Sequence, residues 1–550
     1  MAATLPRSVW HELILLRDAI ADRPLAALFA DDPERFHRLS RQADGLLLDL
    51  SKQRLTSEIV SGLCLFAEAS GFAIAREQLF AAAHVNHSED RPALHWALRR
   101  SDLAPVVAGG ADVMPAIRAV QEQMRRIAGA IGRRQWQGST SATIDTVVHL
   151  GIGGSDLGPR MAVQALAEDR IAGIDVHFVS NVDPAQLARV LSKLDAARTL
   201  IIVCSKSFKT PETLANAEAA RGWLRAQLGA DADLSRHILG ISSNVPAARA
   251  FGIAAENILA MWDWVGGRFS LWSAVGLPVA IAVGWARFSE LLRGAEAMDA
   301  HFAHAAPADN LPLLLALVDF WNVNALGITQ RMTAPYSSAL DLFAQFLQQL
   351  EMESNGKSVT QDGGAVEWTT TEAVWGTAGT DAQHSYFQWL HQGTIPVNVE
   401  LIVPVNSRHG ADPRQDMLLA NAVAQTQALL VGRTREESEA SMRAENASAT
   451  TIDRVAPHRV FPGNRISTTL LVPEVNAYHL GQLCALYEHK AYCFGVLAGI
   501  NTFDQWGVEL GKTLAVEVER ALTKSGPSGD VDGSTAGLIA AIKALRNQPG

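Results

Sequence analysis

Glu353 lies in the stretch 347–357, LQQLEMESNGK, in a setting that suits a carboxylate for moving protons. Leu347 and Leu350 are three apart with polar residues between them, as on the closing turns of an amphipathic helix, and Asn355-Gly356 breaks the pattern. Near a helix C-terminus the macrodipole disfavours a negative charge, which helps a carboxylate that must both take and release a proton. The same residues also describe a solvated glutamate beside a capping glycine, so the rest of the chain has to decide.

Five other stretches carry chemistry-bearing residues. In 151–158, GIGGSDLG, glycines let a backbone approach a ligand closely, with Ser155 beside it to hydrogen-bond. A dinucleotide fingerprint fails there because Asp156 stands where glycine is required, and a Walker loop fails for want of Gly-Lys-Ser/Thr; a tight structural turn and a ligand loop both fit what remains. In 205–213, SKSFKTPET, three hydroxyls and two lysines precede Pro211, which is well placed to open a helix. Such a helix start favours an anion. In 263–270, DWVGGRFS, paired glycines precede Arg268, a cation able either to hold a neighbouring carboxylate or to stabilise developing negative charge. His384 follows the glycine-rich segment 376–383, and Gln505, Glu509 and Lys512 are spaced for one helix face, where surface charge pairing is the alternative to a buried reactive lysine.

These residues need a scaffold, and composition bounds it. The chain has 550 residues, 48% hydrophobic and 19% charged, which is globular and long enough for two domains. A net charge of −10 argues against nucleic acid or an anionic membrane as the main partner. Four cysteines without metal-ligand spacing fit a reducing cytoplasm and offer no metal site. The longest apolar run, 274–286, is interrupted by Pro278 and is shorter than a membrane span requires, so a soluble protein is expected.

Residues 1 to about 110 read as helices, from the spacing in WHELILLRDAI, RFHRLSRQADGLLLDLS and SEIVSGLCLFAEASGFAIAREQLF, with no convincing strand and with Pro92 placed to begin a helix. From about 140 the pattern alternates. TVVHL (146–150), IDVHFVS (174–180), TLIIVCS (199–205) and HILGISS (237–243) are short β-branched runs between helical stretches, which implies a parallel sheet covered by helices, with ligands at the carboxyl ends of its strands. A second alternating section uses ALGITQRMTAPY, TIPVNVELIVPVN and RISTTLLVP as strands.

Taken together, GIGGSDLGP (151–159), SKSFKTPET (205–213), DWVGGRFS (263–270), ESNGK (353–357), GTDAQHS (379–385) and FDQWGVELGK (503–512) resemble, in order, the motifs of the glucose-6-phosphate isomerase (phosphoglucose isomerase) family, over about residues 84 to 515. The resemblance implies an α/β fold of two sugar-isomerase-type three-layer α/β/α domains with mainly parallel sheets. The expected segments are a helical one at 1–115 on the larger domain, a smaller domain with the phosphate loop at 116–284, the larger domain at 285–512 and a helical tail at 513–550. It further implies a cytoplasmic homodimer with no cofactor that interconverts glucose 6-phosphate and fructose 6-phosphate in glycolysis and gluconeogenesis. Ser205, Ser207 and Thr210, with the backbone near Lys206, would hold the phosphate; Gly154 and Ser155 would line the pocket, and Gln505 would add a contact. Glu353 matches the base acting between C1 and C2, Arg268 the cation beside the enediolate, and His384 and Lys512 the ring-opening groups, His384 reaching the partner subunit's site. Lys209 stands where the family more often has threonine, which puts the local phosphate contacts in question.

The residue chemistry agrees with that expectation, since aldose–ketose exchange needs a carboxylate, a cation and no redox centre. Two other readings are a sugar-phosphate isomerase of broader range, taking mannose 6-phosphate as well, and a regulatory protein that binds sugar phosphate without catalysis. The joint presence of Glu353, Arg268, His384 and Lys512 argues against the second.

Overall fold

The computed structural model describes residues 7–523 and 531–547; the parts of the expected terminal segments at 1–6, 524–530 and 548–550 lie outside the described residues. The first departure from the periodicity comes early. RFHRLSRQADGLLLDLS is helical only over Arg35–Leu39 and then forms a hairpin, β1 (Ser40–Ala43) and β2 (Leu46–Asp49). Asp44-Gly45 makes its turn with φ of 45° and 86°, the left-handed pair a two-residue hairpin needs. A second small ladder joins β3 (Val107–Ala108) to β4 (Ala111–Asp112). Pro92 opens no helix: the stretch around it holds two short 3₁₀ turns, His87–Glu89 and His95–Arg99.

The β-branched runs after residue 140 form β5 (Thr146–Leu150), β6 (Asp175–Val179), β7 (Thr199–Cys204) and β8 (Ile238–Ser242), and β9 (Ile258–Ala260) adds an edge. All five are parallel, in the order β6-β5-β7-β8-β9. Val148, Leu150, Ile201 and Val203 face a core shared with the helices Pro184–Leu191, Pro211–Leu228 and Val245–Ala250. The second section gives β10 (Gln330–Pro335), β11 (Ala373–Trp375), β12 (Asn398–Pro404) and β13 (Ser467–Val472). These pair in parallel as β13-β12-β10-β11, and the β1–β2 hairpin extends the sheet by pairing antiparallel with β13.

The faces of this second sheet differ in kind. Met332, Ala334, Val399, Leu401 and Val403 build an apolar core with the helices Phe387–Gln392 and Pro413–Val431. The opposite positions carry Arg331, Thr333, Asn398, Glu400 and Thr468, aligned by the register Arg331↔Asn398, Thr333↔Glu400↔Thr468, and all are buried. The helices Leu311–Asn324 and Ala477–Ala498 supply their partners, with Lys490 2.5 Å from Asp319 and Tyr487 donating to Glu400 at 2.5 Å.

The apolar run 274–286 begins a longer element than its length suggests. The helix Leu277–His304 bends at Gly284 (φ 81°), and Ala274–His304 is long and apolar enough to cross a membrane, yet 67% of its apolar window is buried inside the molecule. It packs on the helix Ala477–Ala498 through Gly294 and Gly481, where an added Cβ would meet the partner's backbone. The latter helix projects three successive residues to separate partners. Glu488 accepts from Arg99 and Trp272, His489 bonds Asp299 at 2.6 Å, and Lys490 bridges Asp319 and Glu351.

Residues 503–550 form a unit of their own: a 3₁₀ turn Trp506–Val508, the helix Glu509–Thr523 and the helix Gly533–Arg546.

Candidate active site

Glu353 closes an element that residue spacing did not reveal. After one α-helical stretch, Phe343–Leu347, the chain widens into a π-helical turn, Gln348–Glu353, before Ser354-Asn355 return to α geometry and Gly356 ends the helix. The Lys357 ammonium satisfies the closing carbonyls, donating to Glu353 O at 3.1 Å and Ser354 O at 2.8 Å, while Asn355 Nδ2 donates to Ala491 O at 3.0 Å. A basic residue just past a helix end is the expected cap for such carbonyls, so Lys357 was a legible signal.

Arg268 reaches this turn from the glycine-rich loop 263–270. Its guanidinium is buried, donates to Ser354 Oγ at 2.6 Å and Thr502 O at 2.5 Å, and stands 3.5 Å from the Glu353 carboxylate, which remains partly open. Carboxylate and guanidinium are thus side by side, with Ser354 and Thr502 helping to hold the guanidinium. The loop comes close because glycine meets glycine: a Cβ on Gly154 would run into the Gly267 carbonyl. That contact requires glycine at 154, whereas a Cβ on Gly267 would stand 4.0 Å from Gly154 Cα, an ordinary contact. Gly153, at φ 60°, lies against Gln349, whose side-chain nitrogen would be 3.0 Å from an added Cβ. Gln349 was missed; it sits one turn before Glu353, on the same element.

Ser155 and Asp156 follow β5. His149, buried and pulled down to about 4 by desolvation, is neutral, and its Nε2–H donates to the Ser155 carbonyl at 2.7 Å. Asp156 was read only as an obstacle to a nucleotide fingerprint. It is a buried carboxylate pushed up to about 6 by desolvation, with Arg160 3.0 Å away opposing the shift.

The loop after β7 gathers hydroxyls ahead of a helix start. Ser205 and Thr210 join hydroxyls at 3.1 Å just before the helix Pro211–Leu228, and Thr210 caps that helix without a side-chain bond. The Lys206 carbonyl accepts from Ser243 N at 2.9 Å, Ser242 Oγ at 2.9 Å and Ser243 Oγ at 2.7 Å. In a trans peptide this turns the Ser207 N–H the other way. Phe208 holds the loop by burying its ring in the core at a positive φ of 50°, a strained conformation for such a residue. The Lys206 ammonium donates at 2.9 Å to both Asp263 O and Val265 O, tying this loop to the one carrying Arg268, and burial lowers its pKa. Ser207 and Lys209 are exposed.

The other expected residues lie on separate elements. His384 ends a 3₁₀ turn, Asp381–His384, and is exposed. A cleft of about 810 Å³ beside the π turn is lined by Gln348, Gln349 and Met352 and by Gly376, Thr377 and Tyr386, which lie before and after His384 in the chain. Gln505 lies outside the helix that its spacing suggested, preceding the turn Trp506–Val508, and Lys512 pairs with Glu509 at 2.8 Å on the exposed face of the helix Glu509–Thr523. Among the described residues no three His, Cys, Asp or Glu side chains gather as a metal ion would need.

Known proteins match this chain over nearly its whole length. The family model described as phosphoglucose isomerase matches residues 49–539. A glucose-6-phosphate isomerase of Pseudomonas aeruginosa strain LESB58 is 45% identical over 530 residues, 96% of each chain. One of Cupriavidus metallidurans is 46% identical over 534 residues, covering 96% of this chain and 97% of its own. The crystal structure of a glucose-6-phosphate isomerase from Chlamydia trachomatis superposes with a TM-score of 0.82 at 31% identity, over 97% of this chain and 99% of that one. With that match extending across the glycine loops, the anchor and the π turn, the chain belongs to the phosphoglucose isomerase family.

Proposed function

We propose that this chain interconverts glucose 6-phosphate and fructose 6-phosphate, with Glu353 as the base and Arg268 as the cation at the reacting oxygens. The observation that carries this reading is the 3.5 Å pairing of the two, on a turn separate from the phosphate loop. In the open-chain aldose the Glu353 carboxylate takes the proton from C2. The C–H electrons form the C1=C2 bond and the carbonyl π electrons move to O1, where a guanidinium stabilises the charge. The O2 proton passes to O1, and the same carboxylic acid returns its proton to C1 as the C2 carbonyl forms, so no redox partner enters.

The phosphate is held by Ser205, Ser207 and Thr210, the backbone near Lys206 and the start of the helix Pro211–Leu228, with Gly154 and Ser155 lining the sugar side. Gln505, Lys512 and His384 complete the site in this reading, the last two for ring opening. The protein acts as a cytoplasmic homodimer, the exposed His384 serving the partner's site, and the domains divide near residues 115, 284 and 512. A coupled assay of fructose 6-phosphate conversion by the purified chain tests the activity; absence of turnover would end the proposal.

Subunit mixing tests the shared site. Glu353→Gln and His384→Ala, each nearly inactive, are unfolded and refolded together. Half the dimers are then mixed, each with one intact site of two, so activity returns to about 25% of wild type by symmetry. No recovery after verified mixing would place His384 within its own subunit's site.

A further inference from the structure

Behind Glu353, on the side away from Arg268, the π turn is fastened to a buried group of charges. Arg331 on β10 donates to Glu351 in the π turn and to Asp319 at 2.9 Å, and lies 3.6 Å from Glu400 and 3.8 Å from Glu372. Lys490 donates to the other Glu351 oxygen at 2.9 Å and stands 2.5 Å from Asp319. All six side chains are buried. Two cations face four carboxyls, and burial pushes Glu351 up to about 8 and raises Asp319, Glu372 and Glu400, so protons remove part of the excess negative charge.

Such a group is an expensive way to stabilise a core, since apolar residues of equal volume often do as well or better. What it supplies is fixed geometry. Glu351 and Glu353 are two residues apart, and at roughly 100° per residue they leave the turn on opposite sides. Glu351 points into the charges and Glu353 towards Arg268, so any rotation of the turn about its axis moves both. With both Glu351 oxygens occupied by cations from different elements, β10 and the helix Ala477–Ala498, that rotation is blocked from behind.

We propose that Glu351, Arg331 and Lys490 are positioning residues for the isomerisation: they clamp the π turn so that the Glu353 carboxylate stands where it can reach both carbons. The proposal rests on Glu353 being the base. A displacement of about 1 Å can cost on the order of 100-fold in rate, whereas substrate anchoring on the loop after β7 is untouched.

The test uses the full chain in heavy water with fructose 6-phosphate. Glu351→Gln keeps the shape but puts an amide NH₂, which cannot accept from Arg331 or Lys490, in place of one oxygen. Expected is a 10- to 100-fold fall in kcat, by the same order-of-magnitude argument, with KM within about twofold. Deuterium at C2 of the aldose should also rise per turnover, because slower transfer gives protonated Glu353 longer to exchange with solvent. A scaffold role alone would lower the folded fraction and leave the deuterium content of each product molecule unchanged, and that result overturns the proposal, as does wild-type kcat. If Glu351→Gln does not fold, Lys490→Met carries the same readouts, since Arg331 still holds Glu351, and Lys490→Arg should restore them. Glu353→Gln separates the two claims. If it stays active, the base assignment fails. If it is inactive while Glu351→Gln and Lys490→Met match wild type in kcat and deuterium content, only the clamp fails.

Discussion

The proposed phosphate anchor and the proposed proton-transfer turn hold their residues by different means. The anchor follows β7 in an all-parallel sheet and uses hydroxyls, backbone and a helix start, and its one buried ammonium is spent tying two loops together. The proton-transfer turn is surrounded by charge: Arg268 on one side and the Arg331–Lys490 group on the other. A dianion bound mainly by neutral donors can leave again, whereas a base must keep its place throughout the reaction. Binding and chemistry are therefore separable, and substitutions should act on KM in one region and kcat in the other.

The largest expected effect is that of Glu353→Gln, which should lower kcat by about 10²- to 10⁴-fold while fructose 6-phosphate still binds, measured by initial rates and by calorimetric titration. A matching loss of affinity would break the division. Next comes Arg268→Gln, expected to cost about 10²- to 10³-fold in kcat as a lost oxyanion partner. Because Arg268 also bonds Ser354 and Thr502, its melting temperature should fall as well, unlike that of Glu353→Gln. In the anchor, Ser205→Ala with Thr210→Ala should raise KM by about tenfold or more and leave kcat nearly unchanged, since a hydrogen bond to a charged group contributes about 1.5–3 kcal/mol. A kcat loss exceeding the KM change would show that the anchor also orients the reacting carbons.

The smallest effect is on stability and concerns the one buried carboxylate near the anchor. Asp156 is raised from 3.8 to about 6 in the folded protein, so its contribution favours the folded state below pH 4 and is lost as pH rises through 6. Relative to wild type, Asp156→Asn should gain stability between pH 4 and 7, by at most about 3 kcal/mol from two pH units at 1.36 kcal/mol each. Denaturant midpoints across that range read it directly, and a constant difference between the proteins would mean that Arg160 keeps Asp156 ionised throughout.

Strands buried on both faces were legible because they read as unbroken apolar runs: β5 and β7 fall within one residue of TVVHL and TLIIVCS. The β1–β2 hairpin was hidden because Leu46, Leu47 and Leu48 also satisfy a helical spacing, and the telling Asp44-Gly45 pair looked like an interruption. In β12 the alternation Val397, Asn398, Val399, Glu400, Leu401 describes a strand with one wet face, yet helices cover that face and bury its charges. Glu351 escaped notice for the same reason, its partners coming from positions 331 and 490. The π turn itself leaves no mark on a three-and-four count. Local motifs located Glu353 and Arg268; only long-range pairing shows what holds them.

The triplet Glu488-His489-Lys490 makes the helix Ala477–Ala498 behave like a key with three differently cut teeth. A smooth apolar rod can settle in its groove at several angles with similar energy, but this one admits a single angle. Slipping by one residue turns it by about 100°, which sends a carboxylate, an imidazole and an ammonium into the wrong wards at once. Chain length within that helix is accordingly frozen. A one-residue insertion within the helix ahead of Glu488 would misalign Lys490 with Glu351, 139 positions away in sequence, while an equal insertion in the exposed bend near His409-Gly410 would leave the lock untouched.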